Sequence, residues 1–278
     1  MEAELLTHGL VLHTCFPCLA GKDLTHCLVS LCMRGLRNQM GTSPFDFAEV
    51  FCGVGNLTRE MIRGGFRGSG FDNVHSSLHD ALTGDGLRLI IDAVTSLKRK
   101  GLLWLGTPCS SFVVLCRCQS QRSAANQWLG DTTRRFVMCG NALMEASALL
   151  YFLASSLQLL AVLEQPGSSC MACAPSMAGV LEFFGASRFS TYLGAFGASS
   201  LKPLSIYSNS SWFEALHCAK PTGMASEAEL VVRSGSQFTG CKEELHQSQV
   251  YPVLFGRAVM KICREAWTHE DLQRSMAN

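Results

Sequence analysis

The chain has 278 residues, of which 47% are hydrophobic and only 16% charged, so it is neither a disordered tail nor a charged linker and has material for one large core. A formal net charge of +1 excludes a global basic footprint, and with it strong non-specific attraction to phosphate backbones. Fourteen cysteines scattered through apolar segments do not form the spacing of a disulfide framework, and most are expected to be reduced, buried thiols.

Residues 1–44 read as an amino-terminal extension with one amphipathic helix around Leu24 to Met40. Its start carries two Glu and no Lys or Arg before a short apolar stretch, unlike a secretory signal, so an intracellular location in cytosol or nucleus is expected. Cys15, Cys18, Cys27 and Cys32 are compatible with a zinc site, which is one reading of the chain as a thiol or zinc protein.

From Phe45 to the end the pattern is that of a single α/β domain, 45–278. "FDFAEVF" is a strand by its aromatic and β-branched content, "GVGN" a tight turn, and "LTREMIRGGF" a helix closed by two glycines. "RGSGFD" is a short strand ending in an acid. A helix is expected from Gly84 to about Lys100, then the strand "LLWLG", a polar loop, a long helix from about Thr132 to Leu157, and the strand "LLAVLEQP". The longest apolar run, Ala148 to Leu163, is short of the ~20 residues of a membrane span and is expected as a core helix running into a core strand, with no membrane involved. Strands alternating with helices call for a parallel sheet covered on both faces. "RFSTYLGAF" and "PLSIYSN" close it as a hairpin that sets one antiparallel strand between parallel neighbours, and Leu245 to Trp267 is expected as a last helix with Pro252 at its start.

In such a sheet, ligands bind beyond the carboxyl ends of the strands. That rule brings four distant motifs to one crevice: "FCGVGN", Asp72, "TPCSSF" and "LEQP". Between Thr107 and Asn141 the charges are Arg117, Arg122, Arg134 and Arg135 against Asp131, a setting that suits an anionic group and a thiolate at Cys109. Ser110 and Ser111 are expected to satisfy the loop's free amides.

These motifs, in this order, resemble those of the DNA cytosine-5 methyltransferases. "AEVFCGVGNLTREMIRGGFRGSGFD" is similar to their cofactor-binding segment, "TPCSSF" to their Pro-Cys loop and "LEQP" to their Glu-Asn motif. "GDTTRRFVMCGNALMEA" resembles the helix start after that loop, "GAFGASSLKPLSIYSN" their later Gln-x-Arg-x-Arg strand, and "YPVLFGRAVMKI" is a weaker echo near the end. The resemblance implies a Rossmann-like methyltransferase fold with a mostly parallel seven-stranded sheet, S-adenosylmethionine as cofactor and a nucleic-acid cytosine as partner. It implies Cys109 and Glu164 as catalytic residues, with Glu49, Phe51, Gly53, Gly55, Asn56, Leu57, Asp72, Asp80 and Pro108 around the cofactor; Asp85 is the alternative to Asp80 at the adenine. Lys202 and Arg134 fall to the substrate. The chain departs from the family at Asn56, Thr107, Ser110, Gln165, Ser200, Lys202 and Leu204, so a degraded fold retained as a cofactor- or partner-binding module is the second reading.

Overall fold

The computed structural model describes residues 30–36, 38–39, 45–222, 231–234, 237–240 and 248–277. It is an α/β protein built on one six-stranded mixed sheet. Strand β1 is Phe45–Val50, β2 Gly68–Phe71, β3 Leu97–Leu105, β4 Leu160–Pro166, β5 Ser187–Tyr192 and β6 Pro203–Ser208. Their order across the sheet is β2-β1-β3-β4-β6-β5. The pairings β1 to β2, β1 to β3 and β3 to β4 are parallel, whereas β6 runs antiparallel to both β4 and β5. β6 is therefore the one strand that opposes its neighbours, as the hairpin pattern predicts. A separate two-stranded hairpin joins β7 (Val231–Ser234) to β8 (Gln237–Gly240).

The helices are α1 (Asn56–Arg63), α2 (Gly84–Thr95), the single turn α3 (Arg117–Ser120), α4 (Arg135–Ser156), α5 (Pro175–Phe183) and α6 (Val253–Ala277). They cover both faces because the central strands alternate their side chains between two cores. Ala48, Val50, Leu103, Leu105, Ala161 and Leu163 meet Ile90 of α2, Met144 of α4 and Val180 of α5 on one face. Phe47, Leu102, Trp104 and Val162 meet Met61 of α1 and Phe255 of α6 on the other. A strand's period of two does this sorting, and it puts Glu49 and Glu164 on the α1 and α6 side.

Helix α4 is long and apolar enough to cross a membrane by length and composition, but 56% of its most apolar window is buried inside the protein. It ends at Ser156 and the chain re-enters the sheet at Leu160. Of the amino-terminal extension, residues 30–36 are helical; Cys32 lies in the core, and Arg34 bonds Asp92 at 2.5 Å.

Three expectations about elements need correction. Among the described residues the sheet has six strands where the resemblance implies seven: between Asp72 and Gly84 there are only turns and the 3-10 segment Ser77–His79. The side chains of Asp72, Ser76 and Asp80 each accept from a main-chain amide two residues on, at 3.1, 3.2 and 2.9 Å, and such local bonds compete with a ladder. The second helix stops at Thr95, where Thr95 and Ser96 hydroxyls donate to Asp92 O, and Leu97 to Lys100 belong to β3. The last helix runs from Val253 to Ala277 with Pro252 at its start as expected, but residues 248–252 are not helical and its far end lies beyond the expected Trp267. Proline disfavours helical backbone in the residue before it, and here the Pro252 carbonyl takes the first amides, Phe255 N and Gly256 N. Residues 245–247 lie outside the described residues.

Candidate functional site

A cavity of about 1010 Å³ opens beyond the carboxyl ends of β1, β2, β3 and β4. One wall is the turn that leaves β1. Phe51, Gly53 and Gly55 all have left-handed backbone, with φ of 61°, 53° and 74°. A bulky residue at such a φ is strained and glycine is not, so Phe51 is a stored distortion that swings the chain out of the strand. The turn is clamped from the end of β2: Asp72 Oδ2 accepts from Gly53 N at 2.8 Å, and His75 Nε2 lies 2.6 Å from Gly53 O.

Below the turn, Glu49 is 1% exposed and its Oε2 accepts from Thr58 N at 2.8 Å and Thr58 Oγ1 at 2.5 Å. It caps the first turn of α1 from inside the protein. Burial pushes its carboxyl up to about 7, against the opposing Thr58 bonds, and Oε1 is buried without a hydrogen bond. Glu49 therefore holds the turn in place and does not line the cavity. Leu57 is a core residue, and Gly55, Asp80 and Asp85 are also outside the lining.

The opposite wall is the loop after β3. Pro108 and Cys109 line the cavity, Cys109 half-buried, and Phe112 N and Val113 N donate to the Cys109 carbonyl at 2.7 and 3.2 Å. That carbonyl, and not Ser110 or Ser111, satisfies the loop amides. Ser111 has another task, as a ligand of Arg122. Arg122 is 1% exposed; its Nε donates to Ser111 O at 2.9 Å and Nη2 to Ser111 Oγ at 2.8 Å. Nη1 reaches Trp128 O at 2.6 Å and Asn141 Oδ1 at 2.7 Å, and the guanidinium lies 3.5 Å from the Phe112 ring centroid. Burial draws it down to about 10, so it remains charged at neutral pH. The expected cluster of arginines around Cys109 is thus divided: Arg122 is internal, Arg117 faces Trp128, and Arg134 lines the cavity while bonded to Asp131 at 3.0 Å.

The floor is the end of β4. Gln165 donates to Thr107 O and Glu164 O, both at 2.8 Å, and takes Ser169 Oγ on its own oxygen, so this departure from the family pattern anchors the Pro-Cys segment. Glu164 is 7% exposed, lines the cavity and accepts from Tyr251 Oη at 2.7 Å. Trp104 Nε1 donates to the same phenol oxygen at 3.3 Å. The departure at Asn56 is explained as well: its Nδ2 donates to Tyr251 O at 2.6 Å. Lys202 lines the cavity as a buried residue, 8% exposed, with Nζ donating to Ser248 O at 2.5 Å.

Of the residues singled out from sequence, the cavity gathers Phe51, Gly53, Asn56, Asp72, Pro108, Cys109, Arg134, Glu164 and Lys202, and leaves out Glu49, Gly55, Leu57 and Asp80. Sequence reading places Arg122 among the arginines near Cys109 and not inside the protein, and gives no role to His75 or Tyr251; of these two only Tyr251 carries a signal, as the residue before Pro252. Among the described residues no group of three or more His, Cys, Asp or Glu could hold a metal ion, and Cys15, Cys18 and Cys27 of the expected zinc cluster lie outside them. Burial pushes the Cys32 thiol up to about 12, which disfavours the thiolate a metal needs.

The donor set fits S-adenosylmethionine in part. Gly53 faces open space where a Cβ would stand, and Asp72 retains lone pairs beside the turn for ribose hydroxyls, whereas neither acid expected at the adenine reaches the lining. No family model matches the chain, and no curated protein matches it.

Proposed function

We propose that this protein is an S-adenosylmethionine-dependent methyltransferase that acts on a cytosine base through Cys109. The observation that carries the reading is one shared cavity with a left-handed glycine turn and Asp72 on one wall, Cys109 on the other and Glu164 at the floor. The sheet's one reversed strand, β6, agrees with the architecture implied by the resemblance, although one strand is fewer.

Gly53, Asn56 and Asp72 would hold the cofactor, which when bound would supply an electrophilic methyl group on sulfonium. Cys109 adds as thiolate to C6 of the ring, forming an S–C bond, while Glu164 delivers a proton to N3 as the C5–C6 π electrons move to C5. Once C5 carries the methyl group, its proton would leave to a water acting as base, the Cys109 S–C bond would break with its electrons returning to sulfur, and the N3 proton would return to Glu164. Arg134, which lines the cavity with an exposed side chain, suits the anionic backbone of a nucleic acid.

The test is titration calorimetry with S-adenosylmethionine, combined with intact-mass analysis after incubation with an oligonucleotide carrying 5-fluorocytosine. Expected is binding, and an adduct that Cys109→Ser abolishes while cofactor affinity stays within about threefold, because the thiol touches the acceptor and not the cofactor. Binding without an adduct would leave a cofactor-binding module, and no binding at all would end the methyltransferase reading.

A further inference from the structure

We propose that Tyr251 is a positioning residue for Glu164, holding the carboxyl in its working orientation and taking up charge as it develops there. The inference rests on the methyl-transfer reading above.

A buried carboxyl on a flexible stem needs a fixed donor to decide which oxygen faces the acceptor. Tyr251 supplies it: its hydroxyl donates to Glu164 Oε2 at 2.7 Å across 87 positions of sequence. The phenol is itself immobile. Trp104 Nε1 donates onto its oxygen at 3.3 Å, and its ring lies against Trp104 and Phe255 with centroids 6.3 and 5.1 Å apart. A Cβ on Gly106 would stand 3.0 Å from Tyr251 Oη, so the end of β3 is shaped around this hydroxyl. Burial, and then the neighbouring Glu164, hold its ionisation well above the ordinary tyrosine range, so it stays a donor throughout any working pH.

The main chain of the same residue faces the other wall. Its carbonyl accepts from Asn56, the first residue of α1 at the glycine turn. One residue before the last helix thus ties the cofactor turn to the catalytic carboxyl.

The chemistry gives this bond a direction. When the Glu164 proton passes to N3, negative charge appears on the carboxyl, and the Tyr251 hydrogen bond strengthens at that moment; Tyr251 keeps its own proton. An interaction stronger in the transition state than in the ground state acts on kcat and not on KM.

The experiment is steady-state methyl transfer by the full chain, from S-adenosylmethionine to a single-stranded cytosine-containing oligodeoxynucleotide. Tyr251→Phe is expected to lower kcat about 10- to 100-fold with both KM values within about threefold. In a Glu164→Gln background, adding Tyr251→Phe is expected to change the rate of 5-fluorocytosine adduct formation less than about twofold, since the group it acts through is gone. A merely structural role predicts the reverse: an equal cost in both backgrounds, or a KM for S-adenosylmethionine that rises through loss of the Asn56 contact. Either result overturns the inference, as does an unchanged kcat. If Tyr251→Phe does not fold, Trp104→Phe, which weakens the phenol as a donor and keeps its bond to Glu164, is expected to lower kcat about two- to fivefold, and no change there overturns the inference too. Should the parent protein neither transfer methyl groups nor form an adduct, the methyl-transfer reading itself fails, and that result is obtained before any variant is made.

Discussion

The two walls of the cavity are held by different physics. The turn from Phe51 to Asn56 is fixed by its own backbone, with three left-handed residues and two side chains, Asp72 and His75, that arrive from the turn just beyond β2. The stretch from Thr107 to Arg134 has little regular structure beyond single turns, and its shape depends on one internal arginine. A backbone-determined wall tolerates loss of a side chain. A wall gathered around one buried cation does not, because the guanidinium replaces water for several carbonyl groups at once.

The largest effect is therefore expected at Arg122. Arg122→Ala leaves the buried Ser111 O and the partly buried Trp128 O without their donor, a loss of about 3 kcal/mol. By thermal unfolding this appears as a drop of roughly 5 to 10 °C. On the proposed methyl-transfer reading, which assigns S-adenosylmethionine to the other wall, its affinity should fall no more than about threefold, while adduct formation at Cys109 slows by about 100-fold or more as the loop loses its geometry. An unfolding temperature within about 2 °C of the parent would show that the loop has another anchor.

Two glycine substitutions sharpen the contrast at intermediate size. At Gly140 on α4, an added Cβ would stand 2.2 Å from Ser111 Oγ and 3.2 Å from Arg122 Nη2, so Gly140→Ala collides with the arginine's hydrogen-bonded nest and should cost about 1 to 3 kcal/mol. At Gly53 an added Cβ meets nothing within 4 Å, and the cost is that of a left-handed backbone alone, about 1 kcal/mol. The readouts separate: Gly140→Ala should slow adduct formation with little change in cofactor affinity, and Gly53→Ala the opposite. If both variants change the same property, the walls are one unit and the comparison fails.

The same contrast explains what the sequence reveals. The strands, the glycine turn and the closing hairpin are written in local pattern, residue beside residue, and can be read from it. The resemblance implies a seventh strand for which the local pattern supplies no segment; between Asp72 and Gly84, where the chain could have entered the sheet, Asp72, Ser76 and Asp80 bond their own neighbours instead. Glu49 was identified as an important acid, but only the fold shows that it faces α1 and not the cavity. Arg122 reads as one more solvated arginine until the loop closes around it. The role of Asn56 depends on a residue 195 positions away, which no local pattern records.

The smallest effect, and a test of the turn alone, concerns Glu49 and pH. Burial raises its carboxyl to about 7 in the folded protein, above the ~4.3 of an exposed glutamate in the unfolded chain. The folded state thus binds this proton more tightly than the unfolded state does. The associated stability is fully present below the unfolded value, and is lost as pH rises through about 7. Glu49→Gln keeps the site neutral at every pH and preserves an acceptor for Thr58, while its amide group meets a position where Oε1 has no donor. The variant is accordingly expected to be somewhat less stable than the parent near pH 5. Between about pH 5 and pH 8 the difference should shift in the variant's favour by on the order of 2 kcal/mol, measured by urea unfolding at each pH. Because Arg122 and the Pro-Cys loop carry no part of this proton, adduct formation corrected for the folded fraction should follow the parent's pH dependence. A parent-to-variant difference that does not change with pH would mean that Glu49 is already ionised in the folded protein, with the Thr58 bonds outweighing burial.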